Sequence, residues 1–424
     1  MRADNNASKH KRPNCTRARV ARTLVGRSLA AVAIIYLAVA FCPAAEPAHY
    51  YPGNWGQWET RTPAEVGMNP DRLAKAIAYS KSHETDRPKD LDRAIRMSIA
   101  SQAYDELIGP TKPRGSNNGL IVRNGYIVAE WGDTRRVDMT FSATKSYLST
   151  TAGLAWDRGM IHDLHDPVKR YVADDLFASQ HNGLITWHML LNQTSEWEGT
   201  LWGKPDWAPV WNGTMRELHM PGTHWQYNDV RVNCLAAALL QVWREPLPRV
   251  LKRLVMDPID ASPTWRWHGY RNSWIELDGT RMQSVSGGGH WGGGLWINTR
   301  DHARFGYLFL RRGKWNDKQL ISEEWIDRMT TPTDIKPTYG YMWWLNPDQE
   351  RIAGAPETSF AAVGAGTNMV WIDPQHDLLV VVRWIDPAHD AQFIKLVVDA
   401  VAPEPAESKQ YERGPRCFQQ TAFA

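Results

Sequence analysis

Ser142 stands three residues before Lys145 in the run Phe141-Ser142-Ala143-Thr144-Lys145-Ser146. Residues at i and i+3 share one face of a helix, so the hydroxyl and the amine can meet. A serine hydroxyl becomes a useful nucleophile when a neighbouring base takes its proton. A lysine amine is such a base once its neutral form is populated. The S-x-x-K pattern is short and recurs by chance. Its weight depends on a second proton carrier and an oxyanion site elsewhere in the chain.

Two later stretches offer them. In Pro221-Gly222-Thr223-His224-Trp225-Gln226-Tyr227-Asn228-Asp229, a Pro-Gly turn leads into an aromatic run, and Tyr227 stands just before a helix. A tyrosine held near a lysine could relay the serine proton to a leaving group; taken alone, Tyr227 reads more readily as a core or surface tyrosine. Further on, Val363-Gly364-Ala365-Gly366 precedes a strand at Asn368–Ile372. Glycines there let a backbone edge approach a ligand, and the Ala365 N–H could join the Ser142 N–H as an oxyanion donor. A plain strand entry with a glycine bulge is the alternative.

These groups need positioning. Asn69-Pro70 predicts a helix cap and first turn, with a helix reaching about Ser82. Asn124-Gly125, between two apolar runs, predicts a hairpin over Gly119–Trp131. The Ser142 helix is expected to run to about Gly159, and residues 160–250 read as mostly helical, with Thr186 capping Trp187–Leu191 and a longer helix at Val230–Arg244. Thr299 and Ser322 are expected to cap helices ending near Arg312 and Met329. Tyr339–Leu345, Asn368–Ile372 and Leu378–Trp384 read as strands, and Ala391–Val401 as a closing helix. Strands early and late around a helical block predict an α/β (α+β) fold: an antiparallel sheet flanked by the terminal helices, plus an all-helical lobe at about 160–250. The active site is expected where the two parts meet.

Composition narrows the class. The 424 residues are 43% hydrophobic and 22% charged, ordinary for a globular chain, but 22 are Trp, which predicts a rigid aromatic core. The net charge of +3 is misleading: residues 1–27 hold eight Lys/Arg against Asp4, a net +7, so residues 28–424 carry −4. That balance gives no reason to expect a nucleic-acid partner. The basic stretch is followed by an apolar run, Leu29–Phe41, and then by Cys42-Pro43-Ala44-Ala45. This reads as a secretory signal peptide within a leader at 1–45, predicting an exported protein, periplasmic or secreted. Membrane association through residues 28–45, as an uncleaved anchor, is the alternative; Phe41 disfavours Cys42 as a lipidation site. One folded domain is expected over 46–402 and a loose tail over 403–424. Outside the leader only Cys234 and Cys417 remain, enough for one bridge at most.

Other signals are weaker. His162, Asp163, His165 and Asp166 form a metal-like cluster, but the adjacent Pro167-Val168 reads as a helix-ending loop. The Gly287–Gly294 run lacks a Gly-Lys-Ser/Thr ending and reads as tight backbone packing. Asn192-Gln193-Thr194 and Asn212-Gly213-Thr214 match glycosylation acceptors.

Serine-x-x-lysine, then tyrosine after a Pro-Gly turn, then a glycine-bearing late strand resembles the serine β-lactamase/penicillin-binding superfamily. The order is similar to its class C-like branch, which includes family VIII carboxylesterases, D-aminopeptidases and 6-aminohexanoate-dimer hydrolase. The resemblance spans about Ala64 to Val401. It implies Ser142 as nucleophile, Lys145 as its base, Tyr227 as second catalytic residue and Ala365 as second oxyanion donor. There are two departures. The family often has Tyr-x-Asn, but here the third position is Asp229. A carboxylate accepts but cannot donate, which changes amide recognition there; Asp229 could instead hold Lys145 charged, which would weaken it as a base. The Lys-Thr-Gly of β-lactamases reads Ala362-Val363-Gly364, so the cation and hydroxyl for a β-lactam carboxylate are missing. The resemblance then implies a serine hydrolase acting on small-molecule esters or amides through an acyl-enzyme, without metal or organic cofactor. A D,D-peptidase or β-lactamase, and a non-catalytic envelope recognition protein, are the alternatives. The loop Thr194–Trp211 is expected to rim the cleft, with Trp197 and Trp202 lining a pocket, Glu198 setting its polarity, and Asp229 and Gly364 touching substrate.

Overall fold

The computed structural model describes residues 49–209 and 216–401; the leader, Asn212, Cys417 and the expected tail lie outside them. Asn69 accepts from the Arg72 N–H and Pro70 follows it, starting α1 (Pro70–Ser82) as the sequence predicts. Asp90 caps α2 (Leu91–Ile99), a helix within a stretch the sequence leaves mixed. The hairpin forms from β1 (Asn118–Arg123) and β2 (Tyr126–Trp131), with Asn124 and Gly125 at φ of 51° and 88°, as the tight turn requires. A short β3 (Asp138–Met139) enters a 3₁₀ turn at Phe141–Ala143 and then α3 (Thr144–Asp157).

Next come α4 (Trp187–Leu191), capped by Thr186, then α5 (Asp229–Trp243) and α6 (Leu247–Leu251); a short antiparallel pair, Thr200–Leu201 with Lys204–Pro205, lies between α4 and α5, so the expected all-helical lobe is not wholly helical. The sequence predicts no strand after these until residue 339, yet five follow: β4 (Arg266–Leu277), β5 (Thr280–Val285), β6 (Gly294–Ile297) and a short pair at Lys314–Trp315 and Lys318–Gln319. A register shift between Gly269 and Trp274 breaks the two-residue alternation that would have marked β4. The helix α7 (Thr299–Leu310) is capped by Asn298 rather than Thr299, whose hydroxyl donates to Asn118 instead. Ser322 caps α8 (Glu323–Thr330) as expected.

The strand expected at Tyr339–Leu345 is two strands, β7 (Tyr339–Gly340) and β8 (Trp343–Leu345), folded back at Met342 with φ 66°. The chain ends in β9 (Phe360–Gly364), β10 (Asn368–Asp373), β11 (Leu378–Arg383) and α9 (Asp390–Val398).

The main sheet is antiparallel, in the order β7-β8-β9-β10-β11-β1-β2; a second has the order β3-β6-β4-β5. Side chains alternate across the main sheet. Leu120, Val122 and Val381 enter the larger core, while Ile121, Val380 and Val382 meet the cluster that includes Leu73 of α1 and Phe393 of α9. With both faces covered, β11 is apolar from Leu378 to Val382 rather than alternating. Trp187, Trp325, Trp343, Trp371 and Trp384 are among the largest fully buried side chains, the aromatic core the composition predicts.

Candidate active site

The site starts from a strained residue. Phe141 has φ 47°, a left-handed conformation that costs a β-carbon-bearing residue about 1–3 kcal/mol. From 138 to 155 only Ser142 is not buried. The rest of α3 is anchored by its small polar groups: Thr144 Oγ1 accepts from Leu295 N–H, and Ser146 Oγ donates to Met342 O. One hydroxyl is thus presented from an otherwise inaccessible helix start.

Lys145 Nζ donates to Ser142 Oγ at 2.9 Å and to Asp229 Oδ1 at 3.0 Å. The lysine side chain is 1% exposed and that of Asp229 8%, so this ion pair is nearly dry. Asn228 fixes the carboxylate by spending its own Oδ1 on the N–H groups of Val230 and Arg231, which puts Asp229 at the first position of α5. A carboxylate is favoured there by the helix dipole.

Tyr227 sits above the pair. Lys145 Nζ lies 4.5 Å from its ring centroid. Burial pushes the phenol pKa well up; the charge of Asp229 pushes the same way, and neighbouring Ser142 offsets part of this. The phenol is therefore held in its neutral, proton-bearing form. Its ring stacks on Trp344 at 5.8 Å and meets Tyr339 edge-on. Gln193 holds this wall: its Oε1 accepts from Asn228 N–H at 2.7 Å, and its Nε2 donates to Tyr339 Oη at 3.2 Å.

The end of β9 closes the other side. A methyl group at Gly364 would overlap Thr140 O and stand 3.0 Å from the N atoms of Ser142 and Ala143, so only glycine lets the strand lie against the Ser142 backbone. Ala365 follows, exposed.

Gly288 and His290 are residues the sequence did not point to individually. A methyl at Gly288 would overlap both Asp229 Oδ1 and Lys145 Nζ, so this backbone forms a lid over the ion pair. His290 Nδ1 lies 3.9 Å from Asp229 Oδ2, and its Nε2 is hydrogen-bonded to the Gln102 amide. Burial lowers the His290 pKa, Asp229 opposes this, and Lys145 adds to it. The signal for Gly288 was the glycine run itself; nothing local marked His290.

The expected rim is only partly as anticipated. Trp197 is 2% exposed and turns into the core, donating its indole N–H to Leu176 O at 2.7 Å, so it does not line a cleft. Glu198 is exposed and borders a cavity of about 510 Å³, together with Asp206, Trp207, Arg216 and Gln226; Ser142 and Lys145 are not in its wall. Trp202 is partly exposed and packs edge-on against Tyr270 at 5.9 Å. In the cluster at 162–166, Asp166 is paired with Arg170 and Tyr171, while the His165 ring stacks on His188. Among the described residues no group of three or more His, Cys, Asp or Glu side chains converges as a metal site, and no helix is long and apolar enough to cross a membrane. Cys234 is free and buried, and Asn192 is 2% exposed.

Comparison with known proteins agrees with the fold. A family model described as Beta-lactamase matches residues 119–386. An uncharacterized protein of Alkalihalophilus pseudofirmus is 24% identical over 301 residues, covering 62% of this chain and 81% of that protein. Among solved structures, a provisionally assigned 6-aminohexanoate-dimer hydrolase from Bacillus anthracis gives a TM-score of 0.50 at 15% identity, covering 73% of this chain and 94% of that one. EstCE1, described as a hydrolase with promiscuous acyltransferase activity, gives 0.50 at 15% identity, covering 78% and 99%. At these identities the likeness is one of fold.

Proposed function

This chain belongs to the β-lactamase family of hydrolases, and from that premise we propose that it is a serine hydrolase cleaving ester or amide bonds of small molecules through an acyl-enzyme on Ser142. One observation carries the reading: Lys145 Nζ lies 2.9 Å from Ser142 Oγ and 4.5 Å from the centroid of the Tyr227 ring. To act as base, Lys145 must first give up a proton, and the Asp229 carboxylate at 3.0 Å is an acceptor within reach. Lys145 then takes the Ser142 proton as Oγ attacks the carbonyl carbon. The N–H groups of Ser142 and Ala365 stabilise the oxyanion. Collapse of the intermediate expels the leaving group, protonated by Tyr227, which recovers a proton from Lys145. Water repeats the sequence on the acyl-enzyme and frees Ser142.

The late strand favours this over β-lactam chemistry. Ala362 and Val363 stand where a lysine and threonine would bind a β-lactam carboxylate, and Ala362 is fully buried. Glu198 and Trp202 remain candidates for the rim. The basic and apolar leader extends the reading to an exported enzyme. A fluorophosphonate probe tests the centre: it should label the wild-type chain and not Ser142→Ala. The absence of a Ser142-dependent adduct would sink the proposal.

A further inference from the structure

The late strand carries no cation, yet one stands beside its end on another segment. Backbone contacts fix residues 83–87 against the chain that follows β11. Glu84 and Ile385 form an antiparallel bridge, the Thr85 N–H donates to Trp384 O at 2.9 Å, and the Trp384 N–H donates to Gly366 O at 3.0 Å. Arg87 is thereby held next to the turn that carries Ala365. A methyl at Gly366 would stand 3.7 Å from Arg87 Cδ, so the arginine stem lies along that turn. The Arg87 guanidinium is 5.1 Å from the centroid of Phe141, the residue before the nucleophile.

This guanidinium is under-used. Its Nε is buried and has no hydrogen-bond partner, while the residue as a whole stays partly exposed. Among the described residues the charge that acts on it is another cation, Arg114, and together with burial it lowers the Arg87 pKa. The adjacent acid, Glu84, is taken by Arg114 at 2.7 Å. Arg114 also donates to the carbonyls of Thr85, Arg87 and Gly115, so it is fully committed. A desolvated donor and a cation without counter-charge are costly to keep, and an incoming anion would satisfy both. The planar fork of a single arginine matches a planar carboxylate; a phosphate dianion calls for more positive charge than one guanidinium supplies.

We infer that Arg87 forms a carboxylate-binding subsite, so that the substrate is an ester or amide carrying a carboxylate that pairs with Arg87 while its carbonyl lies over Ser142. The inference rests on Ser142 being the nucleophile. Three esters test it on the full chain: mono-p-nitrophenyl glutarate, with the carboxylate on the acyl side; 4-carboxyphenyl acetate, with it on the leaving group; and neutral p-nitrophenyl butyrate. Arg87→Gln should lower kcat/KM for one of the anionic esters, relative to the neutral one, by about tenfold or more, mainly through KM, and Arg87→Lys should restore part of it. The anionic ester that responds identifies the side. A second readout needs no turnover: calorimetric binding of glutarate to the Ser142→Ala chain should weaken by about tenfold when Arg87→Gln is added. If no ester is turned over, the reading of Ser142 fails and glutarate binding alone decides the subsite. An equal fall on all three esters would make Arg87 merely structural. Unchanged ester ratios with unchanged or absent glutarate binding would overturn the inference outright.

Discussion

Gly288→Ala is the smallest change that should disable the site, because it adds one methyl group and little else. Gly288 lies outside the left-handed region, so alanine brings no backbone strain there. The added carbon would overlap both Asp229 Oδ1 and Lys145 Nζ and stand 3.0 Å from Asp229 Cγ. Contacts of this kind settle at about 3.5 Å, so Asp229 Oδ1 must retreat by about 1.5 Å and Lys145 Nζ by about 1 Å, which moves Lys145 relative to Ser142. Misplacing a reacting group by about 1 Å typically costs ~10²-fold in rate. Parting Lys145 from Asp229 altogether would leave a nearly dry charge unpaired, worth about 3–5 kcal/mol of stability. The expected result is a ~100-fold fall in kcat/KM for p-nitrophenyl butyrate. Fluorophosphonate labelling of Ser142 should slow in parallel, and thermal unfolding should come at a lower temperature. Activity within about twofold of wild type and an unshifted melting curve would refute the packing argument, since even partial relief needs the ion pair to move.

Tyr227→Phe keeps the stacked ring but removes the hydroxyl proposed as proton donor. It should lower kcat by about 10²–10⁴-fold for an amide, whose leaving group needs a proton, and far less for a p-nitrophenyl ester; equal losses would argue against a donor role. Glu196 tests a different part of the molecule. It is fully buried, and although burial alone would raise its pKa, the hydrogen bond from Arg216, the charge of Arg231 and the His219 N–H hold it at about 2. Because the folded-state pKa is depressed, its stabilisation is present above about 4.5 and is lost as pH falls through about 2, amounting to about 3 kcal/mol. Chemical denaturation between pH 5 and 2 should therefore show a shallower loss for Glu196→Gln than for wild type; parallel curves would contradict the assignment.

What the sequence disclosed depended on how far apart the interacting residues lie. Asn69 capping α1, Ser322 capping α8 and the Asn124-Gly125 turn each involve a few neighbouring residues, and all three are as expected. Asp278-Gly279, with φ of 54° and 70°, is the same turn chemistry and could have revealed the hairpin of β4 and β5. The bulge at Gly269–Trp274 hid the alternation that would have drawn attention to it. Thr299 misled because Asn298, one residue earlier, is the better-placed acceptor, and only the fold supplies Asn118 as the partner of the threonine hydroxyl. Trp197 misled because a tryptophan in a loop reads the same whether it faces solvent or the core.

The site follows the same rule. Ser142 and Lys145 meet at 2.9 Å through helical spacing alone, so the pair was legible. Asp229 comes within 3.0 Å of Lys145 from 84 residues away; its type stood out as a departure, but its partner was set by the cap at Asn228 and the packing of α5 against α3. Arg87 was not legible at all. No spacing rule links it to Phe141, 54 residues on, and its place depends on a chain of backbone bonds through Trp384 to Gly366. Those bonds also set what a substitution can test. Because the Arg87 backbone is tied down independently of its side chain, Arg87→Lys keeps the segment and a charge while losing the planar fork, so partial rescue of carboxylate selectivity by lysine separates charge from geometry.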